Sequence, residues 1–392
     1  MSPSRRLPYD GVALAVPVTV PYERYSHRPA QWWIGMALRG LIEAAGVNKQ
    51  DIDGLCVSSF TLQPDTAVGL TQHFGLSPRW LDHVPMGGAS AIVALRRAAR
   101  AVQAGDAEIV AVIAGDANGV TSFQDMLPAF SRFAQDASYP YGAGGPNASF
   151  ALIADHYMRT FGATREDFGR VAVSQRANAL ANPNALMKKK LTIEDYLAGR
   201  FVSDPISLFD CVMPCAGAEA FLVMREDDAR ALKAPHALLR ATIERHNAFP
   251  EDALQYRVGQ AYDAAEFWAM AGCGPDDVDA LQTYDDYPVI AMMQIEDLGF
   301  CAKGEAPAFV RAHDFTVEGD FPHNTCGGQL SCGQAGAAGG HLGLVEALRQ
   351  ATGQTLGRRV PNARRVIASG FGMINYDRGL CSGAALIEGV ET

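Results

Sequence analysis

The chain has 392 residues, of which 48% are hydrophobic and 19% charged, with a formal net charge of −10 at pH 7. This composition excludes a disordered chain, and the acidic balance argues against nucleic-acid binding, which needs clustered Lys and Arg to contact phosphates. The apolar run that ends at Val20 is too short and too interrupted by Pro for a leader or a membrane span. We therefore expect a cytoplasmic protein that contacts neither a membrane nor a nucleic acid.

The cysteine pattern favours neither a disulfide framework nor a metal site. Eight cysteines are scattered along the chain without a Cys-x-x-Cys pair. Cys211 and Cys215 lack a second half-site, so we expect no zinc and no other metal. Scattered thiols of this kind are typical of core residues in a reducing compartment.

Strands and helices alternate along the first part of the chain. Residues 11–20, 51–59 and 108–116 predict strands, because each is a short apolar run next to turn residues. The amphipathic stretch 29–46 predicts a helix that ends at a glycine, and a second helix is expected after Ser90. This alternation predicts parallel strands joined by right-handed crossovers.

The region from Ala117 to about Pro205 is less regular. Aromatic residues, Gly and Pro are mixed, and helices are expected at 150–161 and at 165–181, where Thr164 begins a capping box. A loop region of this length inside a compact enzyme usually has a function.

The chain returns to a strand at 215–224, and after a linker near 227–235 the strand–helix plan repeats. The expected elements are strands at 215–224, 237–244, 279–284, 365–369 and 380–389, and helices at 289–298 and 340–353.

The turn at Gly87-Gly88-Ala89-Ser90 joins an apolar segment to an amphipathic helix. Such a turn gathers backbone N–H groups and the positive end of a helix dipole at one point, where enzymes bind an oxyanion or place a nucleophile. This turn contains glycines and one serine, but no cysteine.

The stretch 82–104 resembles the nucleophile region of the thiolases, in the branch called SCP2-thiolase-like or lipid-transfer-protein-like, with the thiolase cysteine replaced by Gly88. The resemblance covers nearly the whole chain. It implies an α/β thiolase fold, in which two similar α/β/α halves form a five-layered body with an inserted loop domain. It places the N-terminal half at 1–116 and 206–232, the loop domain over a coenzyme A cleft at 117–205, and the C-terminal half at 233–392.

The segment that begins at Tyr284 resembles the turn that in thiolases starts with His or Asn and holds a water or polarises an oxygen. A tyrosine there donates a hydrogen bond or, as a phenolate, accepts a proton. Asp286 is a candidate to orient Tyr284 or a water. The alternatives are a buried aromatic residue at a strand end and a carboxylate in a surface turn.

The glycine-rich segment 323–340 resembles the thiolase loop that carries the catalytic histidine. The expected Gly-His-Pro is Gly333-Gln334-Ala335, and a glutamine donates hydrogen bonds but cannot act as an acid or base near neutral pH. The resemblance makes Gln334 and the backbone near Gly88 oxyanion donors. It adds Ser90, Asn324, Gly333 and Gly372 to the residues expected to bind substrate.

The last thiolase-like segment lies at 368–379. Ser369 replaces the second thiolase cysteine, while Cys381-Ser-Gly383, which also matches the Cys-x-Gly pattern, is expected inside the last strand. Tyr376 is in the loop that should overhang the pocket, where its phenol can face Tyr284; loop packing is the alternative.

Thiolysis needs a thiolate, a histidine and an acid–base cysteine, and this chain lacks all three at the expected positions. The resemblance therefore favours a carbon–carbon lyase that cleaves a bulky β-hydroxyacyl-CoA by a retro-aldol reaction, as the cysteine-less steroid side-chain aldolases do, with Tyr284 or Tyr376 as the acid–base group. The alternatives are an unusual 3-ketoacyl-CoA thiolase or acyltransferase that uses a displaced Cys326 or Cys332, and a non-catalytic acyl-CoA- or lipid-binding subunit.

The family also implies partners. We expect a homodimer, a small zinc-ribbon/OB-fold (DUF35) protein as a partner, and coenzyme A only as part of the substrate, with no permanently bound cofactor. The loop region contains aromatic residues that suggest a bulky apolar substrate, although they can equally pack the loop domain: Phe123, Phe130, Phe133, Tyr139 and Tyr141.

Overall fold

The computed structural model describes residues 7–63, 65–127, 130 and 132–390. The first six residues, which belong to the stretch where no leader is expected, lie outside them.

The described residues form eleven strands. They are β1 Val12–Glu23, β2 Gly54–Ser58, β3 Trp80–His83, β4 Ile109–Asp116, β5 Phe201–Ser203, β6 Ile206–Ser207, β7 Ala216–Arg225, β8 His236–His246, β9 Ala280–Gln282, β10 Arg365–Ile374 and β11 Gly379–Gly389.

The same residues form fourteen α-helices. They are α1 Ala30–Ala45, α2 Ala67–Phe74, α3 Ser90–Ala104, α4 Ser122–Met126, α5 Gln135–Ser138, α6 Pro146–Phe161, α7 Arg165–Ala179, α8 Ile193–Leu197, α9 Glu226–Ala231, α10 Gln260–Ala271, α11 Pro288–Asp297, α12 Ala306–Ala312, α13 Gly328–Cys332 and α14 Ala337–Thr352.

One mixed sheet runs through the molecule. Nine strands are hydrogen-bonded in the order β3-β2-β4-β7-β1-β8-β11-β10-β9, while β5 and β6 form a separate ribbon. β2 is parallel to β3 and β4, which confirms the parallel opening predicted from the strand–helix alternation. β1 lies antiparallel to both β7 and β8, and so joins the N-terminal strands to the C-terminal ones.

The alternation of side chains along the strands produces the layers. On β4, Val110 and Val112 belong to the core around α3 and α14, whereas Ala111 and Ile113 belong to the core around α1. The helices α3 and α14 contact strands of both halves, and α10 and α11 share a third core with the outer side of the C-terminal strands. The order helix, strand, central helices, strand, helix gives the expected five layers.

The predicted elements are found with shifted ends. The capping box at Thr164 is present, since its backbone N–H donates to Asp167 Oδ2 over 2.8 Å. The expected linker near 227–235 contains α9, and the less regular region 117–205 contains α4, α5 and α8 in addition to the two helices predicted there. These short helices have too few turns to display an apolar period. The domain boundaries remain a prediction.

Candidate active site

Gly88 lies at the centre of the four thiolase-like segments. A β-carbon built on Gly88 would be 2.2 Å from Cε2 of Tyr284 and 2.2 Å from the carbonyl oxygen of Phe371. One on Gly340, in the first turns of α14, would be 2.9 Å from the Cα of Gly88, and one on Gly372 would be 2.9 Å from its nitrogen. Only glycine therefore fits at positions 88, 340 and 372, where the backbones lie in contact. The segments predicted to form one site do come together.

The ring of Tyr284 fills the space into which a side chain at position 88 would project. Tyr284 is 8% exposed, and its phenol oxygen accepts a hydrogen bond from Nε2 of Gln334 over 2.9 Å. Burial, and then the neighbouring Asp286, raise the pKa of Tyr284 well above its ordinary value. The phenol is therefore neutral at physiological pH, with a proton to donate.

The backbone of Tyr284 is held from two sides. Its N–H donates to the Ser369 carbonyl over 3.0 Å, and its carbonyl accepts from Nε2 of Gln294 over 2.7 Å. The Ser369 hydroxyl donates to Oε1 of Gln294 over 2.7 Å. Ser369, which the resemblance aligns with the second thiolase cysteine, thus helps to position the tyrosine. Sequence reasoning did not identify Gln294, which lies in the second turn of α11 and has no local motif.

Asp285 fixes the glycine-rich segment next to Tyr284. Its carboxylate accepts from the backbone N–H of Gln329 over 2.9 Å and of Leu330 over 3.3 Å. Burial raises the pKa of Asp285 to about 7, despite these hydrogen bonds. A β-carbon on Gly328, where φ is +58°, would lie 2.1 Å from Oδ2 of Asp285. Sequence reasoning missed Asp285 as a site residue, and its position directly after Tyr284 was the available signal.

Asp286 is buried beside these groups without a direct hydrogen bond to Tyr284. Its Oδ1 has no hydrogen-bond partner among the described residues. Burial, and then the adjacent Asp285, raise the pKa of Asp286 well above its ordinary value, so the carboxyl group tends to be protonated. The structure therefore places Asp286 near Tyr284 as a buried acid, and its orienting role remains a prediction.

The other residues expected to bind substrate hold the backbone of the site. Oδ1 of Asn324, whose φ is +44°, accepts the N–H of Thr283 over 2.8 Å. Gly333 has a φ of +111°, and a β-carbon there would be 2.9 Å from Cys215 Sγ. Ser90 is buried, and its hydroxyl oxygen accepts the N–H of Met86 over 2.9 Å. Substrate contact by these three residues remains a prediction.

Tyr376 lies in the turn between β10 and β11 and is half-buried. No hydrogen bond among the described residues joins it to Tyr284. The structure brings Tyr284, Gln334, Gly88 and Gly372 into contact, and leaves the approach of Tyr376 to Tyr284 as a prediction.

Three cysteines lie in or near the thiolase-like segments: Cys326, Cys332 and Cys381. Cys332 donates its S–H to the Cys326 carbonyl, with Sγ 3.1 Å from that oxygen. Contact with Cys332 and burial raise the pKa of Cys326 well above its ordinary value. Cys381 lies inside β11, as expected, and burial raises its pKa to about 12. Since the thiolate is the reactive form, this geometry disfavours a displaced Cys326 as the nucleophile.

Within the described ranges, no three His, Cys, Asp or Glu side chains come close enough together to hold a metal ion. None of the helices in the described part of the chain has the length and apolar character needed to cross a membrane.

Comparison with known proteins identifies the relatives of this chain. Residues 245–380 match a family model described as "Thiolase C-terminal domain-like". The chain is 32% identical over 335 residues to the 17-hydroxy-3-oxo-4-pregnene-20-carboxyl-CoA lyase of Mycobacterium tuberculosis, covering 80% of this chain and 84% of that protein. It is 31% identical over 361 residues to the steroid side-chain-cleaving aldolase of Thermomonospora curvata, covering 86% of this chain and 89% of that protein.

A solved structure extends the similarity to the whole fold. The protein described as "Ltp2-ChsH2(DUF35) aldolase" superimposes with a TM-score of 0.82 at 27% identity, and the match covers 98% of this chain and 99% of that chain. The family resemblance inferred from the sequence is thereby confirmed. The chain belongs to the thiolase superfamily, in the branch that contains the steroid side-chain-cleaving aldolases, and it has glycine where the thiolase cysteine would stand.

Proposed function

We propose that this chain is an acyl-CoA carbon–carbon lyase that cleaves a β-hydroxyacyl-CoA with a bulky β-substituent by a retro-aldol reaction. The products are a ketone or aldehyde and a shorter acyl-CoA. The observation that carries this proposal is the Tyr284 ring in the space of the missing nucleophile, with Gln334 donating to its phenol oxygen. A site with no side chain at position 88 cannot form a thiolase acyl-enzyme, yet it keeps groups that move protons and stabilise an oxyanion.

The reaction requires two proton transfers and one oxyanion. A base removes the β-hydroxyl proton, the new carbonyl forms as the Cα–Cβ bond breaks, and the bond's electron pair becomes the thioester enolate. An acid then protonates Cα. The neutral phenol of Tyr284 suits the second step, and Tyr376, in the turn beside the site, is the proposed base.

The enolate oxygen needs hydrogen-bond donors that are already in place. The Gln334 amide uses one of its two N–H bonds on Tyr284 and has a second one for the substrate. We assign the thioester oxygen to this amide and to the backbone around Gly88 and Gly372. Donors of this kind are each worth roughly 10²–10³ in rate. Asp286, buried close to Tyr284, is proposed to orient that phenol or a water.

The relatives support a substrate class and a DUF35 partner for this chain. The name of the Mycobacterium tuberculosis protein describes a steroid CoA ester whose hydroxyl is β to the thioester. We propose a CoA ester of similar bulk for this chain, with coenzyme A entering only as part of the substrate. The similar solved aldolase is a complex with a DUF35 protein, and we propose such a partner, and a homodimer, here. We also propose that the protein acts in the cytoplasm.

A product assay tests the proposal. The purified chain, with and without a DUF35 protein, is given a β-hydroxyacyl-CoA with a bulky β-substituent in the absence of free coenzyme A. Mass spectrometry should detect a ketone or aldehyde and a shorter acyl-CoA. Tyr284→Phe should lower the rate of cleavage at least about 100-fold, because it removes the acid, while the dissociation constant of the substrate changes little.

The control is Tyr262→Phe, the same change at a tyrosine that is 50% exposed on α10 and stacks on Phe249. It should retain wild-type cleavage. If the wild type cleaves only a 3-ketoacyl-CoA, and only with free coenzyme A, the lyase proposal is wrong and the reaction is thiolysis. Unchanged cleavage by Tyr284→Phe would remove Tyr284 from the mechanism.

A further inference from the structure

Met373 has an unusual conformation for its residue type. It follows Gly372 near the end of β10, with a φ of +54°, and its side chain is 43% exposed. A methionine in the left-handed region is strained, because its Cβ approaches the backbone. Because this side chain is partly exposed, its burial contributes little hydrophobic stabilisation to offset that strain. Strained residues of this kind cluster where a site needs a side chain in a fixed place.

The side chain of Met373 lies against the turn that precedes the candidate site. A β-carbon built on Gly87, where φ is +53°, would be 3.2 Å from Sδ of Met373 and 3.6 Å from Cζ of Phe60. The next residue, Gly88, faces the ring of Tyr284. Met373 and Phe60 therefore form an apolar wall beside the point where the proposed bond cleavage takes place.

The side chain of Arg378 anchors the turn that follows Met373 in the chain. Its guanidinium is buried, and it donates to the carbonyl of Phe249 over 2.7 Å and to that of Asp252 over 2.5 Å. It also donates to the Asp377 carboxylate, and its own carbonyl accepts the N–H of Asn375 over 2.8 Å. These hydrogen bonds hold in place the turn that follows Met373.

We propose that Met373 determines specificity by contacting the apolar β-substituent that leaves as the ketone or aldehyde. This inference rests on the proposed function and assigns a residue to its substrate class. An unbranched thioether adapts to irregular apolar surfaces, and its exposure next to the catalytic turn is explained if the substrate covers it.

The test is the ratio of kcat/KM for a bulky β-substituent to kcat/KM for a small one. Met373→Gly should lower this ratio about tenfold, the effect of losing a few apolar contacts. Its melting temperature should stay the same or rise, because glycine adopts this φ without strain. A merely structural methionine would show the opposite, a lower melting temperature and an unchanged ratio. Met373→Leu should keep most of the ratio.

The control is Val68→Ala, which truncates a 64% exposed apolar side chain on α2 and should leave the ratio unchanged. A ratio that stays constant or rises in Met373→Gly overturns the proposal. Calorimetric dissociation constants for a bulky and a small acyl-CoA are measured in parallel. If the wild type cleaves neither ester, the proposed function is wrong. In that case, a ratio of dissociation constants that differs between the wild type and Met373→Gly still supports the role of Met373, and an unchanged ratio refutes it.

Discussion

A β-carbon on Gly88 would occupy the same space as the ring edge of Tyr284, and would also lie 2.2 Å from the carbonyl oxygen of Phe371. The ring belongs to a side chain that substitution can shorten, whereas the carbonyl belongs to the backbone of β10. Two separate groups, the Tyr284 ring and the Phe371 carbonyl, therefore exclude a nucleophilic side chain at position 88.

Gly88→Cys should consequently destabilise the protein without restoring thiolase chemistry. Overpacking against a backbone atom costs about 3 kcal/mol of unfolding free energy. Denaturant unfolding measures this loss, and mass spectrometry after incubation with an acyl-CoA should detect no acyl adduct on residue 88.

The matched control is Gly69→Cys, because a β-carbon on Gly69 in α2 meets nothing within 4 Å. That variant should unfold like the wild type. An acyl adduct on Gly88→Cys with wild-type stability would mean that Tyr284 and β10 can move aside.

For individual residues, the family resemblance predicted which segments form the site, but it did not predict the contacts that hold them. It placed Tyr284 and Gln334 in one site, although the two residues are 50 positions apart. It did not identify Gln294, because a buried glutamine in a helix has no local pattern that distinguishes it. It also missed Asp285, for which the position directly after Tyr284 was the available signal. Such contacts depend on how distant segments pack.

Asp116 connects the end of β4 to the start of α14. Its Oδ1 accepts from the N–H groups of Phe60 over 2.8 Å and Thr61 over 2.7 Å, and its Oδ2 accepts from the N–H of Ala337 over 2.6 Å. Asp116 is buried, and a β-carbon on Gly336 would be 2.3 Å from Oδ2. The carboxylate thus caps the helix whose preceding loop carries Gln334.

Asp116→Ala should lower the free energy of unfolding by about 3 kcal/mol, because several buried donors lose their acceptor at once. It should also slow cleavage, since the segment that carries Gln334 is no longer tied to β4. Denaturant unfolding and the product assay measure the two effects.

Asp106→Ala is the comparison, because Asp106 is an exposed acid just after α3. It should change neither quantity. If Asp116→Ala were as stable as Asp106→Ala, water would have to satisfy the donors, and the carboxylate would not be what connects the two elements.

The elements themselves were largely predictable. The apolar run of β4 and the glycine that ends α1 are local features, so the sequence alone predicts them. The hydrogen bond between Asp116 on β4 and Ala337 on α14 joins residues that are 221 positions apart. It forms only when folding brings these two elements together. The sequence likewise did not predict that one nine-stranded sheet contains strands of both halves, because the pairing of β1 with β8 leaves no periodic pattern.

Across the whole molecule, a buried acid lies between the sheet and the central helices. Glu219 on β7 accepts from the Thr19 hydroxyl over 2.7 Å and from the Tyr22 hydroxyl over 3.0 Å. Burial raises the pKa of Glu219 to about 8. Because the folded state holds this proton more tightly than the unfolded state, the stability from Glu219 is complete below about pH 4.5 and is lost as the pH rises towards 8.

Glu219→Gln should flatten the pH dependence of stability. Between pH 5 and pH 8, the free energy of unfolding of the wild type should fall by about 1.4 kcal/mol per pH unit more than that of the variant. Denaturant unfolding at several pH values measures the two slopes.

Glu43→Gln serves as the reference, since Glu43 is exposed on α1 and should leave the slope as in the wild type. Equal slopes for wild type and Glu219→Gln would mean that Glu219 is already ionised in the folded protein.

The position of β1 between β7 and β8 has a consequence for the order of events during synthesis. β1 leaves the ribosome first, but its partners on both sides begin only at Ala216 and His236. Until those strands are made, both edges of a largely apolar strand lack partners, a state that invites pairing with another chain. The nascent protein therefore depends on protection of β1 until β7 and β8 have been made, and the central sheet closes only when β1 lies between them.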